Sequence, residues 1–314
     1  MIVEKYINTM IHLFYMMSIL LCTISADQDK VCDKSKCRGV GKYLTDLKCV
    51  PTYGPDDDCC PIKYNCDHLK GRAIDKCYFK GHVYEIGEAL KPGDGKPCDI
   101  GCHCNAGWNG TSAHFSCAIV DCFNRPEPGC YLEENHDECC PGPKVCPATR
   151  ENLVKCEVDG KTYLQGQRFT PASDPTKSCI CSEGYKGVNV APFCRDPEPF
   201  NCDTELHQAT DIYENCVPTF YNSQNPATDC NYASRCQNEK DRVIPGNQTG
   251  TPAESDPSDT CIFGRLKMNI GDQLNQGTWW SSVCVRCICE IPPLPTCQHL
   301  RDDECDITVH DEFQ

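Results

Sequence analysis

Cys77-Tyr-Phe-Lys-Gly81-His-Val-Tyr84-Glu-Ile-Gly87-Glu-Ala-Leu90 and Cys156-Glu-Val-Asp-Gly160-Lys-Thr-Tyr163-Leu-Gln-Gly166-Gln-Arg-Phe169 open in the same way. A third stretch, Cys261 through Gly264, Met268, Gly271 and Leu274, repeats them. From each opening cysteine an aromatic residue or Met falls at position +7, a glycine at +10 and an apolar residue at +13. A glycine at +3 or +4 between strand formers reads as a short β-hairpin. Each opening is followed by a Cys-x-Cys pair: Cys102/Cys104, Cys179/Cys181 and Cys287/Cys289. Twelve residues then separate Cys104 from Cys117 and Cys181 from Cys194. Second halves repeat too. The series Cys117, Cys122, Cys130, Cys139-Cys140, Cys146 matches Cys32, Cys37, Cys49, Cys59-Cys60, Cys66, and also Cys194, Cys202, Cys216, Cys230, Cys236. Repetition on this scale marks a modular chain.

Of 314 residues, 31 are cysteine, enough for composition alone to indicate a disulfide scaffold. The hydrophobic share of 39% counts those cysteines and falls to about 29% without them, so small cross-linked units are expected rather than one large core. Net charge is −15, the wrong sign for nucleic acid. The apolar run from Met10 to Cys22, followed by Thr23-Ile24-Ser25-Ala26, reads as a signal peptide over 1–26. Cleavage there removes Cys22 from the 31 and leaves 30, the even number an oxidised framework needs. No second hydrophobic span follows, so a secreted, extracellular product with no membrane span after signal removal is expected. Asn109 and Asn247 stand in glycosylation sequons.

The expected architecture is small, disulfide-rich and mostly β or irregular: tandem two-subdomain cysteine-rich modules, as beads on a string. Residues 27–69 form an amino-terminal half-module of second-half pattern, 76–147 a full module, and 155–237 a module lacking one disulfide. Residues 238–260, rich in Pro, Gly, Asn, Asp and Ser, read as a linker. Residues 261–314 form a carboxy-terminal half-module with an acidic tail. The four units hold 6, 10, 8 and 6 cysteines, each an even number. Alignment of the two full modules places Pro175 where the first has Cys98 and Asp229 where it has Cys139. Two cysteines missing together are most simply the ends of one bridge, Cys98–Cys139. Its loop of about 40 residues would be worth roughly 4 kcal/mol on the chain-entropy model.

The opening Cys-x3-Gly-x2-Tyr-x2-Gly, the Cys-x-Cys pair and the late Cys-Cys-x5-Cys resemble the von Willebrand factor type C, or chordin-like, repeat over most of the mature chain. Cys104-x2-Gly107-Trp108-x-Gly110 also looks like an EGF-like tail. There the last cysteine would follow sooner, and the Cys139-Cys140 doublet has no place. The type C resemblance implies that the first cysteine pairs with the second of Cys-x-Cys, and the first of that pair with the cysteine that follows. The bridges so implied are Cys77–Cys104, Cys102–Cys117, Cys122–Cys140, Cys130–Cys146, Cys156–Cys181, Cys179–Cys194, Cys202–Cys230 and Cys216–Cys236. Carried to the half-modules, it implies Cys37–Cys60, Cys49–Cys66, Cys261–Cys289 and Cys287–Cys297. The leftover cysteines close either locally, as Cys32–Cys59 and Cys284–Cys305, or across the chain through Cys59 and Cys284.

No nucleophile, phosphate-cradling or His-Glu-x-x-His motif is present, so a non-enzyme with no cofactor is expected. Cys284-x2-Cys287-x-Cys289 suits disulfides better than zinc in this context, and Asp56-Asp57-Asp58 lacks the alternation of a calcium loop. Trp108, Trp279 and Trp280 are candidate interface residues, since an exposed aromatic in a disulfide-rich module is a fair binding anchor. For Trp108 and Tyr185, at matching loop positions, packing over a disulfide is the favoured role. The resemblance implies a monomeric extracellular protein that binds a protein ligand, such as a growth factor of the bone-morphogenetic or TGF-β type. The rival readings are a structural matrix or secreted-fluid component and a defence-type or protease-inhibitory protein.

Overall fold

The computed structural model describes residues 32–123, 125–149, 152–196, 201–246, 259–276 and 284–306. It is a disulfide-rich assembly of short strands and irregular segments with a few brief helices. Each of the three openings is a two-stranded antiparallel hairpin. Lys76–Phe79 pairs with His82–Glu85, Lys155–Val158 with Lys161–Leu164, and Thr260–Phe263 with Leu266–Asn269. Lys80-Gly81 and Asp159-Gly160 close the first two with positive φ at both turn residues, the pattern of a type I′ turn. The register explains position +7: Tyr84, Tyr163 and Met268 each lie directly opposite the opening cysteine, where side chains across the ladder touch.

Position +10 is explained by a clamp built three times. The N–H groups of Gly87, Gly166 and Gly271 donate to the carbonyls of Cys104, Cys181 and Cys289 at 2.8, 2.7 and 2.8 Å. Those cysteines in turn donate to the carbonyls of Glu88, Gln167 and Asp272. The three glycines hold φ of 89°, 82° and 92°, a region that side chains disfavour. Position +11 completes the clamp: Glu88, Gln167 and Asp272 accept from the backbone N–H of residues 85, 164 and 269 at 2.7, 2.8 and 2.7 Å.

The units do not all stand apart along the chain. One six-stranded sheet runs in the order Ala233–Arg235, Val217–Phe220, Leu294–His299, Val285–Ile291, Gln273–Leu274, Val243–Ile244. It therefore joins the second half of the 155–237 unit to the carboxy-terminal unit; Val217–Phe220 and Leu294–His299 pair in parallel. Val243–Ile244 falls within the stretch read as a linker and forms an edge strand of this sheet; residues 247–258 lie outside the described set. A buried ion pair ties the joint: Arg235 Nη2 meets Asp241 Oδ1 at 2.6 Å and donates to the Asn275 carbonyl at 3.0 Å.

The segment 201–213 turns back in the other direction. The Cys202 and Thr204 N–H groups donate to the Asp46 carboxylate. Lys96 pairs with Asp203 at 2.5 Å and Arg72 with Glu205 at 2.6 Å. Leu206 enters the core of Cys77, Phe79, Tyr84, Ala113 and Phe115, while Ile212 and Phe220 pack with Val40, Tyr43, Leu44 and Leu47. The tip of the last hairpin meets the amino-terminal unit, where the Tyr64 N–H donates to the Pro292 carbonyl at 2.9 Å.

Candidate binding surface

Fifteen disulfides fix the surface. In the first full unit the structure bonds Cys77 to Cys104, Cys102 to Cys117, Cys98 to Cys139, Cys122 to Cys140 and Cys130 to Cys146. In the next it bonds Cys156 to Cys181, Cys179 to Cys194, Cys202 to Cys230 and Cys216 to Cys236. At the ends the pairs are Cys32 with Cys59, Cys37 with Cys60, Cys49 with Cys66, Cys261 with Cys289, Cys287 with Cys297 and Cys284 with Cys305. The leftover cysteines thus close within their own units. Among the described residues three clusters could by spacing hold a metal ion: Cys37/Cys59/Cys60, Cys122/Cys139/Cys140 and Asp211/Cys216/Cys236. Every cysteine in them is spent in a disulfide, which leaves no thiolate to act as ligand.

Inside the first full unit, Phe79, Tyr84 and Phe115 pack edge to face with centroids 5.1 to 6.3 Å apart. Tyr84 is fully buried and its hydroxyl donates to the Asp94 carboxylate, which His82 Nδ1 also meets at 2.6 Å. Burial disfavours the Asp94 anion, but the hydrogen bonds from Tyr84 and His82 and the charges of His82 and Lys80 outweigh it and hold the carboxyl below its usual range. Burial, aided by the bond to Asp94, pushes the Tyr84 hydroxyl up to about 12. This network ties the hairpin to residues 91–94 that follow it.

On the outside of the same unit large apolar side chains stand in solvent. Trp108 is 80% exposed, Ile119 98% and Phe123 83%, with Ile100 also exposed. Ile119 lies between Cys117 and Cys122, Phe123 follows Cys122, and the Ala118 N–H donates to the Ile100 carbonyl at 2.8 Å. The Ile100 backbone is therefore held beside the segment that carries Ile119 between Cys117 and Cys122, with Phe123 next after Cys122 in sequence. Trp108 and Asn109 sit at the far end of the hairpin of His103–Asn105 with His114–Ser116. There the turn is closed by Thr111 N–H to the Trp108 carbonyl at 3.1 Å.

Packing over a disulfide does not hold for Trp108. Tyr185, at the matching position, does fold inward: its ring lies 5.4 Å from Phe169 and 5.5 Å from Phe193, and its hydroxyl donates to Asn189 Oδ1 at 2.7 Å. The difference is two residues: where Tyr185 rests on Phe169 and Phe193, the first unit has Leu90 and Ser116, so the indole lacks both ring partners. Trp279, Trp280 and Asn247 lie outside the described residues. Ile100, Ile119 and Phe123 were missed by the sequence reading. Their signal was apolar residues between closely spaced cysteines, where no strand period places them in a core.

No protein-family model matches the chain. No solved structure matches it. A mouse protein does. The chain is 27% identical over 180 residues to the von Willebrand factor C and EGF domain-containing protein of Mus musculus. The match takes in 56% of this chain and 15% of that protein, so the chain corresponds to a small part of its length. With fifteen disulfides and a mostly β or irregular fold, this similarity fits a cysteine-rich protein of type C kind and is compatible with an extracellular setting. Among the described residues no helix is long and apolar enough to cross a membrane.

Proposed function

We propose that the chain is a secreted, non-enzymatic binding protein whose 76–147 unit docks an extracellular growth factor of the bone-morphogenetic or TGF-β type. The observation that carries this reading is the exposure of Ile100, Ile119 and Phe123 on the segments cross-linked by the Cys102–Cys117 and Cys122–Cys140 bridges. Large side chains kept in solvent on a cross-linked frame lose little conformational freedom on binding, which favours affinity. The similarity to a protein named for von Willebrand factor C domains supports the same reading.

The test is a binding panel on the oxidised mature protein, containing growth-factor dimers of that class, several proteases and collagen. Nanomolar binding to a growth factor, weakened at least about tenfold by Phe123→Asp or Ile119→Asp, is the expected result. Binding to a protease or to collagen alone would move the protein to the defence-type or structural reading. Binding that Phe123→Asp and Ile119→Asp leave unchanged would remove this surface from the account.

A further inference from the structure

The turn that joins His103–Asn105 to His114–Ser116 carries two features that the proposed docking surface does not use. Trp108 is 80% exposed. Asn109 beside it, also exposed, opens the sequon Asn109-Gly-Thr111. The backbone here is tightly fixed. Asn109 and Gly110 hold φ of 50° and 86°, left-handed angles that asparagine and glycine adopt more readily than other residues. The Thr111 N–H and hydroxyl both donate to the Trp108 carbonyl, at 3.1 and 2.9 Å. Gly107 closes the loop on itself, since a Cβ there would fall 1.9 Å from the Thr111 carbonyl oxygen. Residues 107–111 thus form a compact loop that leaves the side chains of Trp108 and Asn109 in solvent.

The matching loop, Gly184-Tyr185-Lys186-Gly187, offers an internal comparison. There the aromatic ring folds against Phe169 and Phe193, and the residue after it is Lys186, which cannot carry an N-linked sugar. Where the ring has partners inside its unit the sequon is absent, and where it lacks them the sequon stands beside it.

Position favours a sugar over a protein as cover for the indole. Adjacent Cα atoms are about 3.8 Å apart, so a glycan on Asn109 starts within reach of the ring and hinders a partner protein from approaching it. An indole offers a large flat apolar surface with an electron-rich face. The C–H face of a pyranose packs on such a surface while its hydroxyls stay in water. Because the sugar is tethered to the next residue, it makes this contact without the loss of translational freedom that a free partner bears.

We propose that Asn109 carries an N-linked glycan whose first N-acetylglucosamine lies on the Trp108 indole. In the transfer, Asn109 Nδ2 loses a proton and bonds to C1 of the sugar. The bond from C1 to the phosphate of a polyprenyl-pyrophosphate donor breaks, and the pyrophosphate leaves with the electron pair. Ile119 and Phe123 take no part in this contact, so it and the docking surface can each fail without the other.

The experiment is hydroxyl-radical footprinting, read peptide by peptide by mass spectrometry. It uses the mature protein secreted from eukaryotic cells that keep their N-glycans in high-mannose form. Three forms are compared: the intact glycan, the glycan trimmed to its first sugar by an endoglycosidase, and the glycan removed from the folded protein by an amidase. Trp108 should be oxidised several-fold more slowly in the first two forms than in the third, with the exposed Phe123 oxidised equally in all three. An Asn109 peptide that carries no glycan would overturn the proposal. So would oxidation of Trp108 at one rate in all three forms, which would leave the indole open to a protein partner. Protection lost on trimming to one sugar would place the cover in the outer sugars and overturn the contact with the first. The glycan is removed after folding, so the comparison needs no variant.

Discussion

Gly87 and Gly166 occupy the same place in two repeats, but a methyl group would cost different amounts at each. Both hold φ near +85°, at 89° and 82°, where an L-residue is strained by roughly 1 kcal/mol or more. A Cβ at Gly87 would meet nothing within 4 Å, whereas at Gly166 it would fall 2.4 Å from Glu133 Cγ and 3.1 Å from its Cα. Gly87→Ala should therefore lose about 1 kcal/mol, and Gly166→Ala clearly more, since Glu133 belongs to the preceding unit and must move. Denaturant midpoints of the two variants check this; equal losses would contradict the assigned contact. Asp94 supplies a second residue-level prediction. Its folded-state pKa lies below the unfolded value of about 3.9. Its contribution is therefore complete above that value and is lost as pH falls through it toward the folded pKa. Tyr84→Phe removes one donor to the carboxylate and should cost about 1–3 kcal/mol at pH 7. The gap between variant and parent should shrink at pH 3. A gap of the same size at both pH values would mean that lost packing, not the carboxylate, accounts for it.

At the scale of elements, the hairpins and the glycine at +10 were legible because both follow from local backbone chemistry. Two residues of positive φ close a tight turn, and glycine is the residue that adopts such angles freely. Position +11 was not read, since Glu, Gln and Asp share no composition signal and their common role is accepting one backbone N–H. The clamp makes that role measurable. Glu88→Ala and Gln167→Ala should each lose about 0.5–1.5 kcal/mol, the worth of one hydrogen bond. Asp272→Ala should lose more. Its second carboxylate oxygen also accepts the Gly246 N–H at 3.0 Å and so ties the edge strand Val243–Ile244 to the third hairpin. Hydrogen exchange should show the added loss as faster exchange at Val243 and Ile244, with the first two variants leaving that strand unchanged. The orientation of Trp108 and Tyr185 was harder to read at this scale. It turns on two neighbours, Phe169 and Phe193 in one unit against Leu90 and Ser116 in the other, which cysteine spacing does not reveal.

For the whole molecule, cysteine spacing showed repeats but not which halves pack together, because packing partners leave no mark on a local pattern. The absent bridge offers a physical account. In the first full unit Cys98–Cys139 binds the two halves covalently. In the second, Pro175 and Asp229 take those places, so the 201–236 half is not tied to its own first half and is able to dock elsewhere. It does so through Leu206, which is 2% exposed inside the Phe79–Tyr84–Phe115 core of a different unit. Leu206→Ala should therefore act at a distance along the chain. It removes buried methyl groups from that core, a change that typically costs 2–5 kcal/mol. Its effect should appear in the hairpin Lys76–Phe79 with His82–Glu85, as faster amide exchange. Exchange in the hairpin Lys155–Val158 with Lys161–Leu164, which belongs to the same stretch of sequence pattern as Leu206, should stay as it was. Were the two hairpins to respond the other way round, the second half would be packing on its own unit in solution.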